Sequence, residues 1–184
     1  MKTNFMTVTS IAVFCGSQSG INPLYQQQAK ELGKYLGENK IRLIYGGGSK
    51  GLMGAIADSV MAYGGEVVGV IPELLIGWEH QHEGISDLQI VADMHSRKKI
   101  MYDLSDAAII LPGGYGTLDE LFEMLTWNTL KIHEKKIIML NTEGFYNHLL
   151  AHIKFMQESK FLYENWEERI LLANTVEEII SFLV

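Results

Sequence analysis

Short runs of consecutive apolar residues that end at glycine alternate along this chain with longer segments whose apolar positions recur every three or four residues. Runs of the first kind predict strands buried on both faces; segments of the second kind predict helices. Strands are expected at Ile11–Cys15, Ile41–Tyr45, Glu66–Ile71, Leu88–Ala92, Ala107–Leu111, Lys136–Leu140 and Ile170–Ala173. Helices are expected over Pro23–Glu38, Leu52–Tyr63, Ser96–Leu104, Thr117–Lys131 and Phe145–Glu158, with a terminal helix capped by Thr175. Pro23 suits a first helical turn, and Leu24, Ala29, Leu32 and Leu36 then share the face toward the sheet. Pro72 breaks the third strand, and Glu73–Asp87 reads as a surface loop with some helix. The alternation predicts an α/β fold: one Rossmann-like domain spanning residues 1–184, a three-layer sandwich around a mainly parallel sheet. In such a fold a ligand sits at the carboxyl ends of the strands.

Three of those strand ends carry small, glycine-rich turns: Gly16-Ser17-Gln18-Ser19-Gly20, Gly46-Gly47-Gly48-Ser49-Lys50-Gly51 and Pro112-Gly113-Gly114-Tyr115-Gly116-Thr117. Glycine lets backbone amides come close to an anion, and a following helix adds partial positive charge. Three such turns on one sheet edge point to a phosphorylated ligand. The second turn formally fits G-x-G-x-x-G through Gly46, Gly48 and Gly51, with Glu73 near the place of a ribose-binding acid, but it follows the second strand rather than the first. The Walker A pattern fails, because Leu52 and Met53 stand where Lys and Ser/Thr are needed.

The third turn carries more chemistry. Thr117-Leu118-Asp119-Glu120 has the T-x-x-E spacing of a capping box, which accounts for Thr117 and Glu120 without any function. It leaves the preceding run of glycines unexplained. On the functional reading, the loop amides and Thr117 hold a phosphate, and Glu120 projects from the first helical turn as an anionic carboxylate, suited to a general base or to a developing cation. Met94-His95-Ser96-Arg97-Lys98-Lys99 opens another helix, with Asp93 or Ser96 as its cap. Three successive cations there oppose the helix dipole and need a nearby anion to relieve them.

Composition narrows the class. A chain of 184 residues with 47% hydrophobic and 20% charged residues can bury roughly 70% of its unfolded surface and needs no staple. Its one cysteine, Cys15, fits a reducing compartment and reads as a buried strand residue. A net charge of −7 argues against nucleic acid or an anionic membrane as a partner. No apolar run approaches the roughly 20 residues of a membrane helix. Lys2 followed by Ile11–Cys15 makes a poor signal peptide, so a cytoplasmic protein is expected. Neither His80 with His82 nor His148 with His152 has the partners of a metal site, and no metal or cofactor is expected.

The run from Pro112 to Glu120 resembles the signature of the LONELY GUY family, PGGxGTxxE. The resemblance extends to Met94-His95-Ser96-Arg97-Lys98, to Gly46-Gly47-Gly48 with Gly51-Leu52-Met53-Gly54, to Cys15-Gly16-Ser17 and downstream to Trp127, Ile132-His133, Asn141 and Gly144-Phe145-Tyr146. It implies a phosphoribohydrolase that cleaves the N-glycosidic bond of AMP or a cytokinin riboside 5′-monophosphate, giving free base and ribose 5-phosphate. Position by position, it implies Arg97 and Glu120 as the catalytic pair. It also implies substrate contacts at Gly16, Ser17, Gly47, Gly48, Met94, Arg97, Lys98, Gly113, Gly114, Tyr115, Gly116, Thr117 and Glu120. Asp119 departs from the second Glu of many members, at a position the signature leaves open. The label "possible lysine decarboxylase" carried by many relatives finds no pyridoxal-phosphate lysine motif here. The competing reading is a non-catalytic nucleotide sensor on the same fold. Leu118, Leu121, Phe122 and Leu125 form one apolar stripe on their helix, with Met124 and Trp127 off it, and family members are dimers. At least a homodimer is therefore expected.

Overall fold

The computed structural model describes residues 8–76 and 80–183; Lys2 and the 77–79 part of the expected surface loop lie outside the described residues. Seven strands, β1 (Ser10–Phe14), β2 (Arg42–Tyr45), β3 (Val67–Pro72), β4 (Asp87–Val91), β5 (Ala107–Ile110), β6 (Lys136–Leu140) and β7 (Ile170–Ala173), form one sheet in the order β4-β3-β2-β1-β5-β6-β7. Every pairing is parallel, so the sheet is wholly and not just mainly parallel. Six α-helices cover it: α1 (Pro23–Glu38), α2 (Gly51–Ala62), α3 (Met94–Leu104), α4 (Tyr115–Thr129), α5 (Asn147–Glu158) and α6 (Val176–Leu183).

The strand pattern dictates the layers. Successive side chains of a strand point to opposite faces. Ile11 and Val13 of β1 therefore join α1, α2 and α6 in one core, while Ala12 and Phe14 join α3, α4 and α5 in the other. Because both faces are covered, β1, β3 and β5 read as unbroken apolar runs, whereas the edge strand β4 carries Asp87 and Gln89 and is partly exposed. Strands β1 to β4 are laid outward in one direction, and α3 then carries the chain back so that β5 pairs with the free side of β1. That reversal opens a crevice beyond the carboxyl ends of β1 and β5.

Three local expectations need correction, and one open alternative closes. Pro72 does not break β3 but ends it, paired with Val91 at a point where β2 has already stopped and no amide is needed on that side. Of the two caps expected for α3, Asp93 is the one used: its Oδ1 accepts from the Ser96 amide at 2.8 Å. Helix α4 begins two residues early, at Tyr115, with Gly114 as its N-cap, so Thr117 is the third helical residue and caps nothing. Its sheet-facing stripe is Thr117, Leu121, Met124 and Asn128, which puts Met124 fully inside and leaves Leu118, Phe122 and Leu125 half-buried. Among the described residues no helix is long and apolar enough to cross a membrane.

Candidate active site

The crevice holds a cleft of about 470 Å³. Its floor comes from the end of β1 (Phe14, Cys15, Gly16), one wall from α3, and the opposite wall from the first turns of α4.

Arg97 sits in the first turn of α3 and is only 5% exposed. Its Nε donates to the Val70 carbonyl at 3.1 Å and its Nη2 to the Gly46 carbonyl at 2.9 Å, so the ends of β3 and β2 fix its orientation. Glycine is required at 46, because a Cβ there would lie 2.2 Å from Arg97 Nη2. Of the triple glycine, Gly46 alone makes way for the guanidinium. Gly47 and Gly48 are buried away from the cleft, where Gly47 accepts from the His82 amide at 2.9 Å and Gly48 bridges Gln81.

Across the cleft, the amides of Tyr115, Gly116 and Thr117 form the first turn of α4 and lack intrahelical acceptors. Gly114 offers no side chain to cap them. Thr117 is 3% exposed, and its Oγ1 lies so close to Gly113 that a Cβ at 113 would meet it at 2.1 Å. Glycine at 114 and 116 answers no contact within the protein, since a Cβ at either would meet nothing within 4 Å. An anion approaching the amides would use that clearance. Gly16 donates to the Pro112 carbonyl at 3.0 Å and so ties the first turn to the third.

Glu120 is half-buried and lines the same cleft as Arg97. It is the sixth residue of α4, in the second turn and not the first, where the helix dipole acts more weakly. Burial pushes the Cys15 thiol up, and the Glu120 carboxylate adds to that, so Cys15 is held as a neutral thiol.

Of the residues singled out in the sequence, Gly16, Ser17, Met94, Arg97, Gly114, Tyr115, Gly116, Thr117 and Glu120 line this cleft. Gly113 lines an adjoining hollow of about 260 Å³ that shares Gly16, Ser17 and Gly114. Lys98 turns away: its Nζ lies 3.0 Å from both Asp119 and Glu123 of α4. The cleft is also lined by Gly46 and Met53, which the sequence motifs contain but which were not expected as substrate contacts, and by Leu74 and Leu75, which sequence reasoning missed. The apolar run Leu74-Leu75-Ile76 in a loop of mixed polarity was the available signal for the last pair. Among the described residues no three His, Cys, Asp or Glu side chains gather as metal ligands would.

Comparison with known proteins adds to this geometry. Residues 53–183 match the family described as possible lysine decarboxylase. A cytokinin riboside 5′-monophosphate phosphoribohydrolase of Arabidopsis thaliana is 46% identical over 94% of this chain and 80% of its own. A protein of the same description from Rhodococcoides fascians is 40% identical over 95% of this chain and 89% of its own. Among solved structures, the molybdenum cofactor binding protein of Rippkaea orientalis aligns with a TM-score of 0.71 over 97% of this chain and 96% of its own, at 21% identity, a likeness of fold alone. The decarboxylase description does not suit the cleft. A pyridoxal cofactor needs a lysine for its Schiff base, and no lysine is among the described residues lining the cleft.

Proposed function

Because this chain belongs to the LONELY GUY family, we propose that it hydrolyses the N-glycosidic bond of nucleoside 5′-monophosphates, AMP or a cytokinin riboside 5′-monophosphate, to free base and ribose 5-phosphate. The observation that carries this reading is the meeting of Arg97, Glu120 and the first-turn amides of α4 in one cleft.

The phosphate monoester docks on the amides of Tyr115, Gly116 and Thr117, where hydrogen bonds and the helix dipole act together. Glu120 lies three residues further along α4, about 4.5 Å along the axis, comparable with the span of a ribose ring. Holding the phosphate therefore brings C1′ toward the Glu120 carboxylate, and remote binding energy orients the reacting bond. As the C1′–N bond breaks, its electron pair leaves with the base, which takes up a proton, and the sugar gains oxocarbenium character. The carboxylate stabilises that charge and accepts a proton from the water that adds to C1′. Arg97 is held in advance by two carbonyls, so it meets the nucleotide's anionic groups with little reorganisation. Met53, Leu74, Leu75 and Met94 offer an apolar wall for a planar base.

The same reading takes the chain as one nucleotide-binding domain, working in the cytoplasm as a homodimer, without metal or cofactor. The half-buried Leu118, Phe122 and Leu125 of α4 and the exposed Leu130, Phe161 and Tyr163 nearby supply apolar surface for a second copy. Light scattering is expected to give twice the monomer mass. Chromatography of incubations with a panel of nucleoside monophosphates and their nucleosides tests the reaction. Adenine is expected from AMP and not from adenosine; intact AMP after prolonged incubation, along with every other nucleotide of the panel, would remove the proposal.

A further inference from the structure

The structure assigns Lys98, Tyr102 and Glu123 a positioning role: they lock α3 to α4 so that Arg97 and Glu120 meet the same substrate. The role rests on the phosphoribohydrolase reading above and concerns side chains outside the residues that line the cleft.

Arg97 and Lys98 are neighbours in sequence and so leave α3 on different sides. Arg97 runs to the strand ends, and Lys98 runs to α4. Lys98 and Tyr102 stand one turn apart on α3, facing Asp119 and Glu123, one turn apart on α4. Lys98 Nζ is 3.0 Å from Asp119 Oδ2 and 3.0 Å from Glu123 Oε2. The Tyr102 hydroxyl donates to the same Glu123 Oε2 at 2.9 Å and reaches the backbone carbonyl of Glu120 itself at 3.3 Å. The Tyr102 ring is fixed edge-on between Phe14 of β1 at 5.9 Å and Trp127 of α4 at 5.0 Å.

Glu123 is the centre of this cluster. Its side chain is 17% exposed against 56% for Asp119, so its bonds are the less screened by water. Burial draws Lys98 down, but hydrogen bonds and charge from Asp119 and Glu123 outweigh it and hold the ammonium above its ordinary range. Lys98 is therefore a committed cation between two protein carboxylates, and releasing it to a phosphate would take from Glu123 its ion-pair partner and leave it the Tyr102 hydroxyl. Each helix carries one member of the reacting pair, and a displacement near 1 Å between them is enough to slow chemistry by about 100-fold.

The test is kcat and KM for AMP, with melting temperature, in variants of the cluster. Glu123→Ala is expected to lower kcat by about 10- to 100-fold with KM changed less than about 3-fold. Glu123→Gln keeps an acceptor for Lys98 and Tyr102 and is expected to recover kcat to within about 5-fold of wild type. Should Glu123→Ala not fold, Tyr102→Phe deletes only the hydroxyl and carries the same expectation of lower kcat at unchanged KM. Lys99→Met breaks the exposed pair with Asp103 on the same helix and is expected to change neither constant. Wild-type kcat in Glu123→Ala or Tyr102→Phe would overturn the role. So would a Lys98→Met variant with raised KM and unchanged kcat, which would make Lys98 a phosphate ligand. A wild-type chain inert toward every nucleotide removes the function and this role with it; an active wild type with an indifferent Glu123 removes the role alone.

Discussion

Helices α4 and α6 both carry Thr-x-x-Glu near their start, Thr117 to Glu120 in one and Thr175 to Glu178 in the other. In α6 the spacing closes a cap. Thr175 Oγ1 accepts from the Glu178 amide at 3.3 Å, and Glu178 Oε2 reaches back to the Asn174 amide at 2.6 Å, so side chains of the chain itself take one first-turn amide and one just before the helix. In α4 the cap has moved upstream to Gly114, which brings no side chain. Thr117 is packed against Gly113, the first-turn amides are left for an anion, and Glu120 faces the cleft. The difference lies in the residues before the threonine. Leu172-Ala173-Asn174 carries a strand straight into its cap, whereas Pro112-Gly113-Gly114-Tyr115-Gly116 lets the helix begin early and keeps its N-terminus clear of side chains.

That contrast can be broken by substitution. Glu120→Gln removes the carboxylate while keeping its shape, and kcat for AMP is expected to fall on the order of 10³-fold with AMP still bound, read by steady-state kinetics and calorimetry. Gly46→Ala keeps both members of the reacting pair, yet its Cβ must displace the Arg97 guanidinium; kcat is expected to fall by about 100-fold. The two threonines sharpen the comparison directly. Thr117→Ala is expected to lower kcat/KM for AMP by about 10-fold, the loss of one hydrogen bond to a charged group. Thr175→Ala is expected to cost about 1 kcal/mol of stability in denaturant unfolding and to leave kcat/KM unchanged. Equal effects of the two on turnover would erase the distinction.

Much of the fold was legible because the central strands are apolar on both faces and several strand ends are punctuated by glycine. Lys136–Leu140 and Ile170–Ala173 fall where the pattern puts them. The start of α4 was not legible, since Tyr115-Gly116 has poor intrinsic helix propensity and a first turn tolerates it. In the site, Arg97 and Glu120 could be picked out by their motifs, but their convergence depends on β5 pairing with β1, which is a long-range choice. The basic run at 97–99 shows the limit most clearly. Its demand for nearby anions was read correctly, but protein carboxylates meet it: Asp119 and Glu123 for Lys98, and Asp103 for Lys99 at 2.6 Å. Such partners on α4 are invisible until the two helices are side by side.

The central claim is that the first turn of α4 holds a phosphate monoester while Glu120 faces the sugar carbon that loses its base. A crystal structure of Glu120→Gln with AMP tests it most directly. The phosphate is expected within hydrogen-bonding distance of the Tyr115, Gly116 and Thr117 amides, with residue 120 beside C1′. A phosphate bound elsewhere, or C1′ turned away from residue 120, would contradict it.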